Sequence, residues 1–142
     1  MAKKNFVGAK GARLLRRVAK HILAEPLRYN QDEIVCRLTP QDDSYHGRQI
    51  PACKTIACIG GWLHILTAKR RIGSLESLPF RKFKNLLGIK ESALYKLTAY
   101  SWNAGENGWP DRFRIAYLNT DNPKAKAEIA ACRIEHFIKT GE

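Results

Sequence analysis

The first long pattern of hydrophobic positions runs from Lys10 to Ala24 and has the spacing of an amphipathic helix. Its apolar positions are Leu14, Leu15, Val18, Ala19, Ile22 and Leu23, and its basic positions on the opposite side are Lys10, Arg13, Arg17 and Lys20. Pro26 ends this helix because proline cannot continue the helical hydrogen bonding. The pattern after it predicts a second, short helix over about 31–37.

The least polar segment of the chain predicts a buried central helix. Residues 56–68 contain no Asp, Glu, Lys or Arg, and Thr55 before them is a good N-cap residue. The basic residues Lys69, Arg70 and Arg71 follow at the position where cations complement a helix C-terminus. Uncharged composition over a helix-length run indicates that this helix lies inside the fold.

Gly60 and Gly61 are unusual within such a helix, because each costs about 1 kcal/mol relative to alanine. A pair of them indicates that another backbone, an aromatic ring or a ligand comes close. We expect them to permit close packing beside Trp62.

Four further helices are predicted over about 79–87, 91–100, 110–117 and 121–138. Pro79 and Pro123 suit the first turn of a helix, Gly88 suits a helix end, and Asp121 or Asn122 can cap the last helix. No segment shows the alternation of a strand. The predicted fold is therefore all-α, a compact single domain over 1–142 with about six helices around the buried central helix. We expect residues 1–9 to be flexible and residues 38–54, which lack an apolar period, to form a long loop.

The positive charge is concentrated in two segments. The net charge is +12, and residues 1–24 hold seven Lys or Arg and no acid, while residues 69–90 hold seven against Glu76 alone. Such clusters attract nucleic acid, nucleotides or an acidic protein face, although a merely solubilising surface is the alternative. The candidate ligand-binding residues are Arg13, Arg16, Arg17 and Lys20 in the first helix, Lys69, Arg70 and Arg71 after the central helix, and Trp102 as a stacking surface.

The hydrophobic fraction of 44% predicts a folded protein, and residues 56–68 are too few to span a bilayer. The first residues lack the apolar core of a signal peptide. We therefore expect a cytoplasmic protein of a bacterial cell, without membrane association. In that compartment the four cysteines, Cys36, Cys53, Cys58 and Cys132, should be mainly reduced thiols.

The sequence gives little support for metal binding or catalysis at the cysteines. Cys53 and Cys58 with His46 and His64 could supply metal ligands, but His64 lies about 240° around a helix from Cys58. Buried structural thiols are the favoured interpretation, and a metal site or a disulfide are the alternatives. Cys132 and His136 share a helix face without an evident third residue for catalysis. We expect no metal, no cofactor and no enzymatic activity.

Residues 83–97 could form a helix-turn-helix around Leu87, Gly88 and Ile89, in which a helix from Glu91 would read DNA. Lys84 stands where that motif places a small residue, and Glu91 would bring an acid to the DNA. An ordinary helical corner is the favoured alternative.

Four sets of landmarks together resemble a known group of proteins. They are Cys53-x-Thr55-x-x-Cys58-x-x-Gly61-Trp62, Leu87-Gly88-Ile89, Trp109-Pro110 with Phe113 and Tyr117, and Ala130-x-x-Arg133-Ile134-x-x-Phe137-Ile138. The chain resembles small, largely uncharacterised proteins of bacteria and bacteriophages, and departs from them by its polar insertion before Pro51 and its basic N-terminus. The resemblance implies a bacterial or phage origin.

Three hypotheses for function follow. The leading one is a non-enzymatic binding protein that captures a phosphate-bearing ligand, either nucleic acid or a nucleotide signal, for a phage or mobile element acting against a host system. The second is a protein inhibitor that docks on an acidic or nucleic-acid-binding surface of a host defence enzyme. The third is a DNA-binding regulator with a helix-turn-helix.

Overall fold

The computed structural model describes residues 3–45, 49–51, 54–98 and 108–142. These residues form a mostly helical fold with one small sheet. The helices are α1 (Ala9–Ala24), α2 (Ile59–Thr67), α3 (Phe80–Leu87), α4 (Glu91–Thr98), α5 (Asp111–Leu118) and α6 (Pro123–Thr140). The strands are β1 (Val35–Arg37) and β2 (Thr55–Ala57), and a 3-10 turn covers Pro26–Arg28.

The two longest helices, α1 and α6, pack against each other over much of their length. Leu15, Val18 and Ile22 of α1 are fully buried, as the amphipathic pattern predicts. The segment before α1 continues along the end of α6, because Val7 is buried and its N–H donates to the Ile138 carbonyl at 3.0 Å. The segment 1–9, for which we predict flexibility, therefore contacts α6 in its described part.

The central helix α2 begins at Ile59, three residues later than predicted. Thr55 is not its N-cap, because Thr55 lies in β2. The cap is Cys58, whose Sγ accepts a hydrogen bond from the Gly61 N–H at 3.3 Å. The helix is nevertheless central, since residues 59–63 are all buried and α2 packs against α1, α4 and β2.

The two glycines of α2 are explained by different neighbours. A Cβ at Gly61 would lie 1.7 Å from the backbone oxygen of Ile34, so the strand connection passes directly against the helix there. A Cβ at Gly60 would instead meet side-chain atoms of Leu78 and Thr98. The expectation of close packing at the glycine pair is therefore confirmed, and the close neighbour at Gly61 is a backbone.

The helix predicted over about 31–37 is wrong, and so is the expectation of no strand. Residues 31–34 turn into β1, which pairs antiparallel with β2 in the register Val35 to Ala57 and Arg37 to Thr55. The pairing partner lies beyond the long loop 38–54, so a local pattern cannot reveal it. The all-α prediction is corrected to a mostly helical fold that contains a two-stranded sheet.

Helices α3 and α4 form a corner around Gly88. This glycine has φ 66°, a left-handed conformation that glycine adopts without strain, and its N–H donates to the Lys84 carbonyl. Phe83 and Leu87 before the corner and Leu94 and Leu97 after it are buried. The predicted helix end at Gly88 is confirmed.

Helices α5 and α6 complete the fold. Asn122 caps α6 by accepting a hydrogen bond from the Ala125 N–H, and Pro123 occupies the first turn, as predicted. Trp109 is buried before α5 and donates its indole N–H to the Leu97 carbonyl at 2.9 Å. Burial of Trp109 against α4 fixes the start of α5.

Candidate phosphate-binding surface

Four basic residues form what we call the α1 basic face: Lys10, Arg13, Arg17 and Lys20. Their side chains are exposed because the opposite side of α1 is buried against α2, α3 and α6. In the described part of the chain, no carboxylate lies within ion-pair distance of any of these four cations. Their charges are therefore available to an external anion.

Arg16, the remaining predicted ligand residue of α1, has a partner within the fold. Its guanidinium donates two hydrogen bonds to the carboxylate of Glu135 on α6, at 2.8 and 3.0 Å. Hydrogen bonding to Arg16 lowers the pKa of Glu135 and the same contact raises the pKa of Arg16. The pair is exposed, so it adds little stability. It does hold Arg16 toward α6 and away from the α1 basic face.

The second cluster of predicted ligand residues, Lys69, Arg70 and Arg71, forms an exposed loop that we call the basic loop. It follows α2, and the chain beyond it is fixed to β1. Arg37 donates from its Nε to the Ile72 carbonyl at 2.9 Å and from its backbone N–H to the Ser74 hydroxyl at 3.0 Å. The basic loop is thus short and attached at both ends.

The two basic clusters belong to helices that pack against each other. The rings of His21 on α1 and Trp62 on α2 are in contact, with centroids 4.3 Å apart and planes tilted by 54°. Burial and the charge of Arg28 lower the pKa of His21, which favours the neutral form of its ring. This contact fixes α1 against the helix that carries the basic loop.

Three predicted candidates lie outside the described residues: the stacking residue Trp102 and the possible metal ligands His46 and Cys53. Within the described ranges, no three His, Cys, Asp or Glu side chains come together as a metal site would require. Cys58 is buried, and burial raises its pKa to about 11. As an N-cap thiol it has a structural role, in agreement with the favoured interpretation.

His64 points to α3 and not toward Cys58. Its Nδ1 lies 2.9 Å from the Nζ of Lys82, and its ring meets Phe83 edge to face. Burial and the charge of Lys82 lower the pKa of His64, which leaves the neutral ring to accept a hydrogen bond from the ammonium group.

Cys132 and His136 lie on the same face of α6, but the structure gives His136 another partner. Its Nδ1 is 2.8 Å from the guanidinium of Arg112, and its ring packs on Phe113. No hydrogen bond joins Cys132 to His136 among the described residues. This geometry does not supply the thiol with a base.

Helix α4, which would read DNA in a helix-turn-helix, offers less positive charge than α1. Helix α4 exposes Glu91, Ser92 and Tyr95, and the side chain of Lys96 pairs with Glu142 at 3.1 Å. An acid in the first turn is unfavourable for a helix that would enter a DNA groove.

Two further residues, to which the sequence analysis assigns no role, hold parts of the fold in place. Glu135 is the partner that separates Arg16 from the other cations.

Arg133 is fully buried between the rings of Phe113 and Phe137, and burial lowers its pKa to about 10. It donates to the backbone oxygens of Lys96 and Glu142 and so joins α4 to the end of the chain. The only signal in the sequence for the burial of Arg133 is its position within the apolar period of α6.

No helix in the described part of the chain combines the length and the apolar composition needed to cross a bilayer. Comparisons of the chain with protein-family models, with curated proteins and with solved structures give no match. The resemblance to the bacterial and phage group stays a prediction.

Proposed function

We propose that this protein is a non-enzymatic binding protein that captures a phosphate-bearing polyanion, a nucleic-acid backbone, on the α1 basic face. One observation carries the proposal: four cations share one exposed helix face without a carboxylate partner among the described residues, while neighbouring Arg16 is paired. A solubilising surface would not require such a separation of paired and unpaired cations.

The spacing of the α1 basic face suits a nucleic-acid strand. Lys10 and Lys20 are ten residues apart, which is about 15 Å along a helix axis. One strand of a duplex carries about four phosphates over that distance. Arginine forks can contact phosphate oxygens with two hydrogen bonds each, and the basic loop adds charge at the adjoining helix. The setting, a phage or mobile-element protein directed at a host system, rests on the resemblance alone.

The test is the salt dependence of binding to a fluorescent oligonucleotide of random sequence. With about four phosphates neutralised, log Kd should change with log salt with a slope of magnitude about 3 to 4. Arg13→Gln should weaken binding and reduce that magnitude by about 1, because it removes one phosphate contact. Arg17→Gln should do the same.

Arg16→Gln is the matched control, since it removes the same charge from an exposed position of the same helix. We expect it to change the slope by less than half as much as Arg13→Gln, because Arg16 is already bound to Glu135. Equal effects of the two substitutions would contradict the α1 basic face as the site. Binding that is insensitive to salt would contradict the whole proposal and favour docking on a protein partner.

A further inference from the structure

Helices α5 and α6 leave an open groove of about 670 Å³ between them, which we call the α5–α6 groove. Its middle is apolar and is lined by Phe113 and Ala116 of α5 and by Ile129 and Cys132 of α6. Ala116 and Cys132 are exposed, and Ile115 beside Ala116 has 48% of its surface exposed. The groove therefore presents an apolar strip to solvent, and such a strip is a candidate interface.

The part of the chain that forms this groove is nearly neutral. Residues 108–142 hold six Lys or Arg and five Asp or Glu, which leaves a charge of +1 out of the +12 of the whole chain. Two copies of a strongly basic protein repel each other where their basic surfaces meet, and the α1 basic face is such a surface. At the α5–α6 groove a second copy can approach with little repulsion.

The two ends of the groove carry opposite charges. Glu128 lies at the end where α6 begins, and Arg112 lies at the other end, where its guanidinium donates to Nδ1 of His136 at 2.8 Å. His136 follows Glu128 by eight residues, which is about 12 Å along a helix axis. Among the described residues, no cation lies within ion-pair distance of Glu128 and no carboxylate within that distance of Arg112. The other charged residues of the groove, Glu135 and Lys139, pair with each other at 3.7 Å.

We propose that the α5–α6 groove binds the same groove of a second copy, so that the protein forms a symmetric dimer with its two α6 helices antiparallel. Cys132 lies midway between Glu128 and His136, and a two-fold axis beside Cys132 places Glu128 of each copy against Arg112 and His136 of the other. The same axis brings the apolar middles of the two grooves together and opposes the dipoles of the two α6 helices. A groove with the same charge at both ends would not match itself in this way. The interface shares no residue with the α1 basic face, so the proposal stands independently of the polyanion function.

The first test is sedimentation equilibrium of nuclease-treated protein at concentrations from about 10 µM to about 1 mM. The groove is smaller than a standard interface of about 20 to 30 residues a side, so we expect a reversible dimer with a Kd of about 10 to 100 µM. A protein that stays monomeric at about 1 mM would rule out the proposal and leave the groove to a different protein.

An exchange of charges tests the antiparallel arrangement. Glu128→Lys should weaken the dimer about tenfold, because the two-fold symmetry repeats its repulsion from Arg112 at both ends of the interface. Arg112→Glu should weaken the dimer by a similar factor. The double variant should restore Kd to within about threefold of the original value, since it exchanges the two members of each pair. A folding defect in either single variant would not be repaired in this way.

Glu76→Lys is the matched control, because it changes the net charge by the same amount at an exposed position outside the groove. It should change Kd by less than about twofold. Equal effects of Glu76→Lys and Glu128→Lys, or a double variant of Arg112 and Glu128 that dimerises no more tightly than the single ones, would overturn the proposal. Replacement of both Arg13 and Arg17 by Gln should leave the dimer intact. If it abolishes self-association, bound nucleic acid joins the copies, and the groove proposal fails while the polyanion proposal survives.

Discussion

At the residue scale, Gly61 shows how a helix can require glycine for a neighbour far away in sequence. The carbonyl oxygen of Ile34 occupies the space in which any other residue would place its Cβ. Backbone atoms of a connection fixed by β1 cannot move aside as a side chain can. At Gly60 the nearest atoms are the flexible end of Leu78 and a methyl group of Thr98. The two adjacent glycines should therefore differ in their tolerance of substitution.

The substitution Gly61→Ala should lower the free energy of unfolding by about 3 kcal/mol, because either α2 or the backbone at Ile34 must shift. Gly60→Ala is the matched control. It should change stability by no more than about 1 kcal/mol, since the gain in helix propensity offsets a small movement of Leu78. Urea unfolding followed by circular dichroism measures both. Similar losses in the two variants would contradict a specific backbone contact at Gly61.

At the element scale, the sequence predicts helices well where the apolar period is long. The observed bounds of α1 and α6 lie within a few residues of the predicted ones, and Asn122 and Gly88 act at the ends as expected. The short segment 31–37 is different, because seven residues cover only two helical turns and can equally form a turn and a strand. Its structure depends on pairing with β2 across a long loop.

The candidate surface, too, can be predicted from the sequence only in part. Exposure of Arg13, Arg17 and Lys20 follows from the period of α1, and the sequence predicts it correctly. The engagement of Arg16 by Glu135 joins residues 119 positions apart, and no local pattern contains that information. A pocket lined by Tyr29, Ile56 and Tyr117 is also assembled from distant segments, so a motif of consecutive residues cannot identify it.

The contact between α2 and α3 should make the fold sensitive to acid. The pKa of His64 is lowered by burial and by Lys82, so below pH 6.5 the unfolded chain takes up this proton more readily than the folded one. The free energy of unfolding should therefore be higher near pH 7 and fall as the pH drops below 6.5. The pKa values of His21 and His136 are lowered as well and act in the same direction.

Unfolding measured at pH 7 and about pH 5 tests this contact. His64→Gln should keep the acceptor for Lys82 and reduce the loss of stability between the two pH values. Lys82→Gln should also reduce it, because it removes a cation that opposes protonation of His64. The control is Lys84→Gln, an exposed lysine of the same helix, which should leave the loss unchanged. An undiminished loss in His64→Gln would mean that other groups account for the acid sensitivity.

At the scale of the whole molecule, salt should act on stability and on binding with opposite signs. A net charge of +12 repels itself within the compact state, and the cations of the α1 basic face, which have no carboxylate partner among the described residues, add to this repulsion locally. Dissolved salt screens the repulsion, yet it also competes with the protein for the phosphates of a nucleic acid. A protein stabilised mainly by surface ion pairs would instead lose stability with salt.

We therefore expect the Tm of the free protein to rise when NaCl is increased from about 20 mM to about 200 mM, as the screening length falls from about 20 Å to about 7 Å. An oligonucleotide of random sequence should raise Tm at the lower salt concentration, because it binds only the folded state, and should lose most of this effect at the higher one. Arg13→Gln should reduce both the rise caused by salt and the rise caused by the oligonucleotide. A Tm of the free protein that falls with salt would show that the paired charges, such as Arg16 and Glu135, outweigh the unpaired ones.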